Sequence, residues 1–267
     1  MHFLHNYNPD PVLLQIGRIT IYWYGLLMLI AILSGIFITI KLAKRYRIEP
    51  DKIWDLAFWL VIGALVGARL YHVALEFGYY FNNPGQIIKI WQGGIAIHGA
   101  WLGGFVALFF WCKKNKEQIL KWLDLLSPGL ILGQAIGRWG NYFNQELFGK
   151  PTNLPWSIPI DPANRPVGYE QFTYFHPTFW YESFANLIIF FILLRIFAKK
   201  KFEGQVFWHY LLFYSLVRAG LESLRIDNTL TIAGMRWPQL FSVIVALVAL
   251  VVLIKSFLRL HGDKFRP

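Results

Sequence analysis

Seven apolar runs of about twenty residues constrain this chain most, near 20–42, 53–77, 94–112, 119–138, 177–198, 204–225 and 237–258. A helix of that length matches the ~30 Å hydrocarbon core of a bilayer. In lipid a spanning segment must satisfy its own backbone hydrogen bonds, and unbroken apolar runs of this size are a helical signal. The expected fold class is an all-α polytopic membrane protein with seven transmembrane helices. Charge content agrees: Asp, Glu, Lys and Arg make up 15% of the sequence, against about 25% in soluble domains. At 267 residues the chain suits one bundle, so 1–267 reads as a single membrane-embedded domain.

The formal net charge of +11 would suit nucleic acid if the basic residues formed one surface, but they sit in short clusters between the apolar runs. That pattern implies a lipid bilayer as partner and no nucleic acid. Lys41, Lys44, Arg45, Arg47 and Lys52 follow the first run. Lys113, Lys114, Lys116 and Lys121 follow the third, and Arg195, Lys199, Lys200 and Lys201 mark the end of the fifth. Lys255, Arg259, Lys264 and Arg266 close the seventh. These groups hold 17 of the 26 Lys and Arg residues, all on one side of an odd-span arrangement. The positive-inside rule places that side in the cytoplasm, with the N-terminus outside and the C-terminus inside. The first run has no cleavable-signal pattern before it and is expected to insert uncleaved. The long segment from about 139 to 176 then lies outside. Its aromatics (Tyr142, Phe143, Phe148, Trp156, Tyr169, Phe172, Tyr174, Phe175) predict an ordered external cap on the membrane.

With that orientation, the ionisable residues away from the cytoplasmic ends gather in one layer. Arg69, His72 and Glu76 share a helical face in the second run. His98 opens the third, Arg138 ends the fourth, and Tyr181 with Glu182 begin the fifth. Tyr214, Arg218, Glu222 and Arg225 recur at helical spacing in the sixth, and Tyr24 opens the first. A charge within a membrane helix usually faces a cavity or a partner. Each residue alone also fits a structural role, such as a snorkelling arginine or an i, i+4 ion pair. As a group they suggest a shared polar cavity. Arginines outnumbering the two or three nearby acids suggest an anionic guest, and phosphate matches guanidinium forks. Gly63 with Gly67, and Gly129 with Gly133 and Gly137, read as close helix packing. Gly99, Gly103 and Gly104 leave room for a headgroup or a backbone beside His98. The lone Cys112 excludes an internal disulfide. No HxxxH pair or carboxylate cluster appears, so neither a metal site nor a cofactor is expected.

The stretch GRWGNYFNQELFG (137–149) closely resembles the signature of the bacterial prolipoprotein diacylglyceryl transferases, G-R-x-G-N-F-x-N-x-E-x-x-G, with Tyr142 in place of Phe. IYWYGL (21–26), IHGAWLGG (97–104), HPTFWYES (176–183) and YSLVRAGLESLR (214–225) resemble further family elements in order. The family usually has His-Gly-Gly where this chain has His98-Gly99-Ala100. The resemblance implies an enzyme of the bacterial cytoplasmic (inner) membrane whose active site faces the outer leaflet. It implies transfer of the sn-1,2-diacylglyceryl group from phosphatidylglycerol to the lipobox cysteine of a preprolipoprotein signal peptide. A thioether forms and sn-glycerol 1-phosphate leaves. Carried over by position, the family's motifs point to Tyr24, His98, Arg138, Asn141, Glu146, Arg218, Glu222 and Arg225. The chemistry suggests Arg138 and Arg218 as a phosphate clamp and His98 as general base for the thiol. Asn141 and Glu146 would orient the headgroup or hold Arg138. Glu222 would position Arg218, and Tyr24 would bind phosphate or a glycerol hydroxyl. The main rival is an outer-leaflet anionic-lipid transporter or flippase, which would carry polar residues through to the cytoplasmic half.

Overall fold

The computed structural model describes residues 2–17 and 19–262, so Lys264 and Arg266 of the last basic cluster lie outside the described residues. Among the described residues the α-helices are α1 (His2–Asn6), α2 (Trp23–Ala43), α3 (Pro50–Leu75), α4 (Phe77–Asn82), α5 (Ile97–Lys114), α6 (Ile119–Phe143), α7 (Thr178–Ala198), α8 (Gln205–Glu222) and α9 (Trp237–Gly262). A long helix stands at each of the seven expected places. Five of them, α2, α3, α6, α7 and α9, are long and apolar enough to cross a membrane. The two of 18 residues, α5 and α8, fall short because polar groups dilute them: His98, Lys113 and Lys114 in α5, and Gln205, His209, Arg218 and Glu222 in α8. Leu29, Phe37, Phe58, Leu70, Phe110, Phe191 and Leu258 are exposed along these helices, as expected where lipid rather than protein covers the apolar face.

The chain divides into two compact units, one of Met1–Ile38 with Leu123–Pro267 and the other of Thr39–Trp122. In the smaller unit α3 and α5 pack backbone to backbone. A Cβ on Gly67 would lie 2.3 Å from the Gly99 carbonyl oxygen, and one on Gly103 would lie 2.1 Å from that of Gly63. The glycines expected to clear space beside His98 therefore do so for a helix: Gly99 and Gly103 are filled by α3, and only Gly104 has no atom near its missing Cβ. Arg69 is buried on α3 and ties down the connection to α5. Its Nε donates to Ile87 O (2.7 Å), Nη1 to Gly93 O (2.9 Å) and Gly94 O (2.7 Å), and Nη2 to Gln86 O (2.6 Å). At the other end of these helices Glu117 is clipped between Lys52 and Lys121, and Trp111 Nε1 donates to Asp55 (2.5 Å).

In the larger unit the glycine stripe of α6 brings α2 close: a Cβ on Gly129 would meet the Gly35 oxygen at 2.7 Å, and one on Gly133 the Ala31 oxygen at 3.4 Å. Ser183 fixes α7 against α6, donating to Ala135 O (2.8 Å) and accepting from Trp139 Nε1 (3.2 Å). Near the start of α6, buried Asp124 accepts from the Gly204 and Phe207 backbone N–H groups at 2.8 and 2.9 Å and so caps the start of α8. Gln239 on α9 donates to Ala219 O of α8 (3.2 Å).

The apolar-run reading did not anticipate a hairpin before α2, where β1 (Val12–Ile16) pairs antiparallel with β2 (Ile19–Tyr22). Nor does the segment expected as a cap begin at 139, because α6 continues to Phe143. From there to α7 the chain is ordered around an apolar cluster of Tyr142, Phe148, Ile158, Ile160, Phe175 and Phe179. A short sheet joins β3 (Ile158–Pro159) to β4 (Tyr174–Phe175). Gln145, in the left-handed region at φ 52°, donates to Pro9 O (3.0 Å) and Asp161 Oδ2 (2.7 Å) and accepts from Asp161 N (2.7 Å). A second hairpin, β5 (Thr231–Ile232) with β6 (Met235–Arg236), leads into α9.

Candidate functional site

The polar residues of α6, α7 and α8 meet at one end of the larger unit. Arg138 lies toward the C-terminal end of α6, Arg218 one turn before the end of α8 and Glu182 one turn into α7. The Ser183 contacts to α6 deliver the neighbouring Glu182 to Arg138, and the carboxylate bridges both arginines. Its Oε1 accepts from Arg138 Nη2 (2.9 Å) and from the Tyr214 hydroxyl (3.2 Å), while Oε2 accepts from Arg218 Nη1 (3.0 Å). The Glu182 side chain is 4% exposed.

From this hub the network runs outward in two directions. Arg138 Nη1 donates to Asn141 Oδ1 (3.0 Å), and Asn141 Nδ2 donates to Glu146 Oε1 (2.7 Å). On the other side Arg218 Nη2 donates to Glu222 Oε2 (3.0 Å), the i, i+4 pair expected from the sequence. Arg236 Nε takes the other oxygen of Glu222 (2.9 Å). Arg236 also donates to the Arg225 and Asp227 carbonyl oxygens at 3.2 and 2.9 Å, and Arg225 Nε pairs with Asp227 Oδ1 (2.7 Å). Burial pushes the Asp227 carboxyl up, but its bonds to Arg225 and the nearby charges of Arg225 and Arg236 outweigh that and hold it below the usual carboxylate range. The segment after α6 is stitched to the end of α8 through Lys150 N to Leu224 O (2.8 Å), which holds Arg225 in place.

Six of the eight sequence-derived residues thus join one hydrogen-bonded and ion-paired network: Arg138, Asn141, Glu146, Arg218, Glu222 and Arg225. Tyr24 lies in the same unit with its ring against Gly140, where an added Cβ would be 2.6 Å from the ring. His98 belongs to the other unit, at the start of α5, with its ring 6.1 Å from that of Tyr71. Arg69, grouped in the sequence with the polar layer, spends its fork on backbone carbonyls of its own unit.

The sequence reading passed over three members. Glu182 stood out as polar but not as the hub. Arg236 and Asp227 were not singled out, although an arginine at the head of an apolar run, and an acid two residues after Arg225, were the available signals. The expected excess of arginine also needs correcting. Arg138, Arg218, Arg225 and Arg236 face Glu146, Glu182, Glu222 and Asp227, so the charges balance. A buried guanidinium is costly unless paired, and folding has supplied the partners. Arg138, Asn141, Thr178, Glu182, Arg218 and Arg225 are among the residues lining a tightly closed crevice with no room for a water molecule.

Comparison with known proteins identifies the setting of this network. The sequence profile of prolipoprotein diacylglyceryl transferase matches residues 11–255. The chain is 47% identical over 241 residues to the phosphatidylglycerol–prolipoprotein diacylglyceryl transferase of Trichormus variabilis, covering 88% of this chain and 85% of the relative. It is 48% identical over 239 residues to the enzyme of that name from Acaryochloris marina, covering 89% and 87%. For that of Gloeobacter violaceus the identity is 46% over 238 residues, with 88% of each covered. Matched along most of its length, and with the arginine network inside the matched span, the chain belongs to the prolipoprotein diacylglyceryl transferase family.

Proposed function

We propose that this chain transfers the sn-1,2-diacylglyceryl group of phosphatidylglycerol to the lipobox cysteine thiol of a preprolipoprotein. The observation that carries the reading is the convergence of Arg138 and Arg218 on one buried carboxylate, at the end of an apolar helix group, in a member of this family. Two guanidinium groups held within reach of the same pair of oxygens suit a phosphate. The reaction is an alkyl transfer. The S–C bond forms as the C–O bond between the glyceryl carbon and the phosphate breaks, and the electron pair leaves with the phosphate oxygen. Arg138 and Arg218 bind the phosphate and stabilise the charge that grows on it.

Asn141, with Glu146 behind it, holds Arg138 in register and contacts the glycerol headgroup. Glu222 does the same for Arg218, Arg225 extends the positive field, and Tyr24 binds a phosphate or glycerol oxygen. The thiol needs deprotonation to become a nucleophile. His98, a position that the family motif also marks, is the candidate general base, since imidazole exchanges protons near neutrality.

In this reading all seven long helices span the bacterial cytoplasmic membrane, and 1–267 functions as one domain. An 18-residue helix extends about 27 Å, close to the ~30 Å core, so α5 and α8 fit as short spans whose polar ends reach the headgroups. The N-terminus is outside, the basic clusters are cytoplasmic, the segment after α6 forms an external cap, and the arginine network opens to the outer leaflet. The test is incubation of the purified full chain with labelled phosphatidylglycerol and a lipobox peptide. Thioether product with release of sn-glycerol 1-phosphate is expected, with no product when the peptide cysteine is replaced by serine. Absence of product from the cysteine peptide refutes the reading. In the same assay His98→Gln is expected to change the pH–rate profile, and an active variant with an unchanged profile removes His98 as base.

A further inference from the structure

The bridge made by Glu182 raises a question that substrate binding alone does not answer: why is a carboxylate seated between the two arginines of a phosphate clamp? Each arginine is held on one edge by a partner from its own helix or the turn after it. Arg138 Nη1 is bonded to Asn141, three residues on, and Arg218 Nη2 to Glu222, four residues on. The remaining edges, Arg138 Nη2 and Arg218 Nη1, both point to Glu182, which arrives from a different helix. Loss of Glu182 would leave both forks oriented, Arg218 Nη1 without its partner and Arg138 with only the Tyr214 hydroxyl beside its inner edge. The carboxylate therefore occupies an exchangeable position rather than serving as the support of either arginine.

The reaction itself creates a need for such a group, and here the inference rests on the transferase reading. Phosphatidylglycerol is a phosphodiester with one negative charge. The leaving glycerol phosphate is a monoester, which at neutral pH carries about −1.5 to −2. A clamp of two arginines in a low-dielectric site accordingly holds its product more tightly than its substrate. We propose that Glu182 is an intramolecular competitor for the clamp. It yields to the phosphate of the incoming lipid and, after transfer, retakes Arg138 Nη2 and Arg218 Nη1 and expels the monoester. Tethered to α7, it is present at high effective concentration whatever the product concentration. Tyr214, bonded to Glu182 Oε1 in the paired arrangement, keeps the carboxylate aimed at its seat.

The experiment compares wild type, Glu182→Gln and Glu182→Asp as full-length protein reconstituted in phosphatidylglycerol-containing vesicles, with sn-glycerol 1-phosphate added as the probe. Glu182→Gln is close in shape but lacks the charge. It is expected to bind sn-glycerol 1-phosphate about tenfold more tightly, a factor within the range for losing a charge-assisted hydrogen bond. Its KM for phosphatidylglycerol should fall, and so should kcat, with a burst of thioether product followed by slow turnover limited by release. Glu182→Asp keeps the charge on a shorter arm and should lie between the two. A Glu182→Gln protein with unchanged product affinity and raised KM would overturn the proposal and leave Glu182 as a prop for the arginines. If the Gln variant fails to fold, the Asp variant decides, since wild-type or weaker product affinity in it refutes the competition. Direct calorimetric titration with sn-glycerol 1-phosphate needs no turnover. An inactive wild type would thus refute the transferase reading alone, while the titration still tests Glu182.

Discussion

Arg69 and Arg138 look alike in the sequence: each is an arginine within an apolar helix, a few residues after a GxxxG pair. Their structures differ in the way that matters for binding. Arg69 gives its donors to four backbone carbonyls of one connecting segment, at 2.6–2.9 Å. Backbone oxygens held by a folded loop are not displaced without unfolding it. Arg138 divides its fork between an amide side chain and the Glu182 carboxylate, and a carboxylate side chain can rotate away. A buried arginine signals a partner, and the exchangeability of that partner separates a staple from a site.

The largest effect that separates these two arginines is on catalysis. Arg138→Lys or Arg218→Lys preserves charge but not the fork that joins Glu182 to a second partner. Transfer of labelled diacylglyceryl should fall by about 10²–10³, the scale of losing one preorganised donor to developing charge. Arg69→Lys should leave the rate per folded molecule within about twofold. Near-normal transfer by Arg138→Lys, or a comparable loss in Arg69→Lys, would erase the distinction.

Stability should order the same residues in reverse. Arg69→Met leaves the carbonyls of Gln86, Ile87, Gly93 and Gly94 without their donor, and an unsatisfied buried polar group costs about 1–3 kcal/mol. Thermal unfolding in detergent should show that loss in Arg69→Met. Hydrogen exchange should rise in residues 84–97 before it rises elsewhere. Equal protection of that segment in wild type and variant would refute the staple.

This contrast also marks what the sequence could tell. All seven long helices were legible because apolar runs of bilayer length leave few alternatives, and the glycine stripes named the close contacts of α3 and α6 in advance. The 137–149 motif and the helical spacing of Arg218, Glu222 and Arg225 delivered most of the network. The hub was hidden because Glu182 meets Arg138 and Arg218 across long sequence separations, and no local spacing encodes such a meeting. Arg69 was misgrouped for the same reason, since backbone carbonyls leave no mark in a sequence. The hairpins β1–β2 and β5–β6 are too short to compete with the runs beside them, so Arg236 at the end of β6 passed unnoticed.

The smallest effect concerns a carboxylate that resembles Glu182 in having two cationic neighbours but is not asked to move. Glu117 lies between Lys52 and Lys121 outside the helices. Burial pushes its carboxyl up, yet hydrogen bonds from the two lysines outweigh burial and hold it at about 2, against an ordinary value of 4.5. The unfolded chain binds a proton near 4.5, whereas the folded chain resists until about 2. Folding gains stability from this group above the higher value and loses it progressively as pH falls through that window. Glu117→Gln should melt at a lower temperature than wild type at pH 7, with the gap narrowing between pH 4.5 and 2. The clip is partly open to solvent, with 16% of the Glu117 side chain exposed, so the gap should be a few degrees at most. A gap that does not change with pH would mean that the lysines pack against Glu117 without holding its charge. Glu117 would then differ from Glu182 in kind, because the competition proposed for Glu182 depends on the charge that its arginines hold.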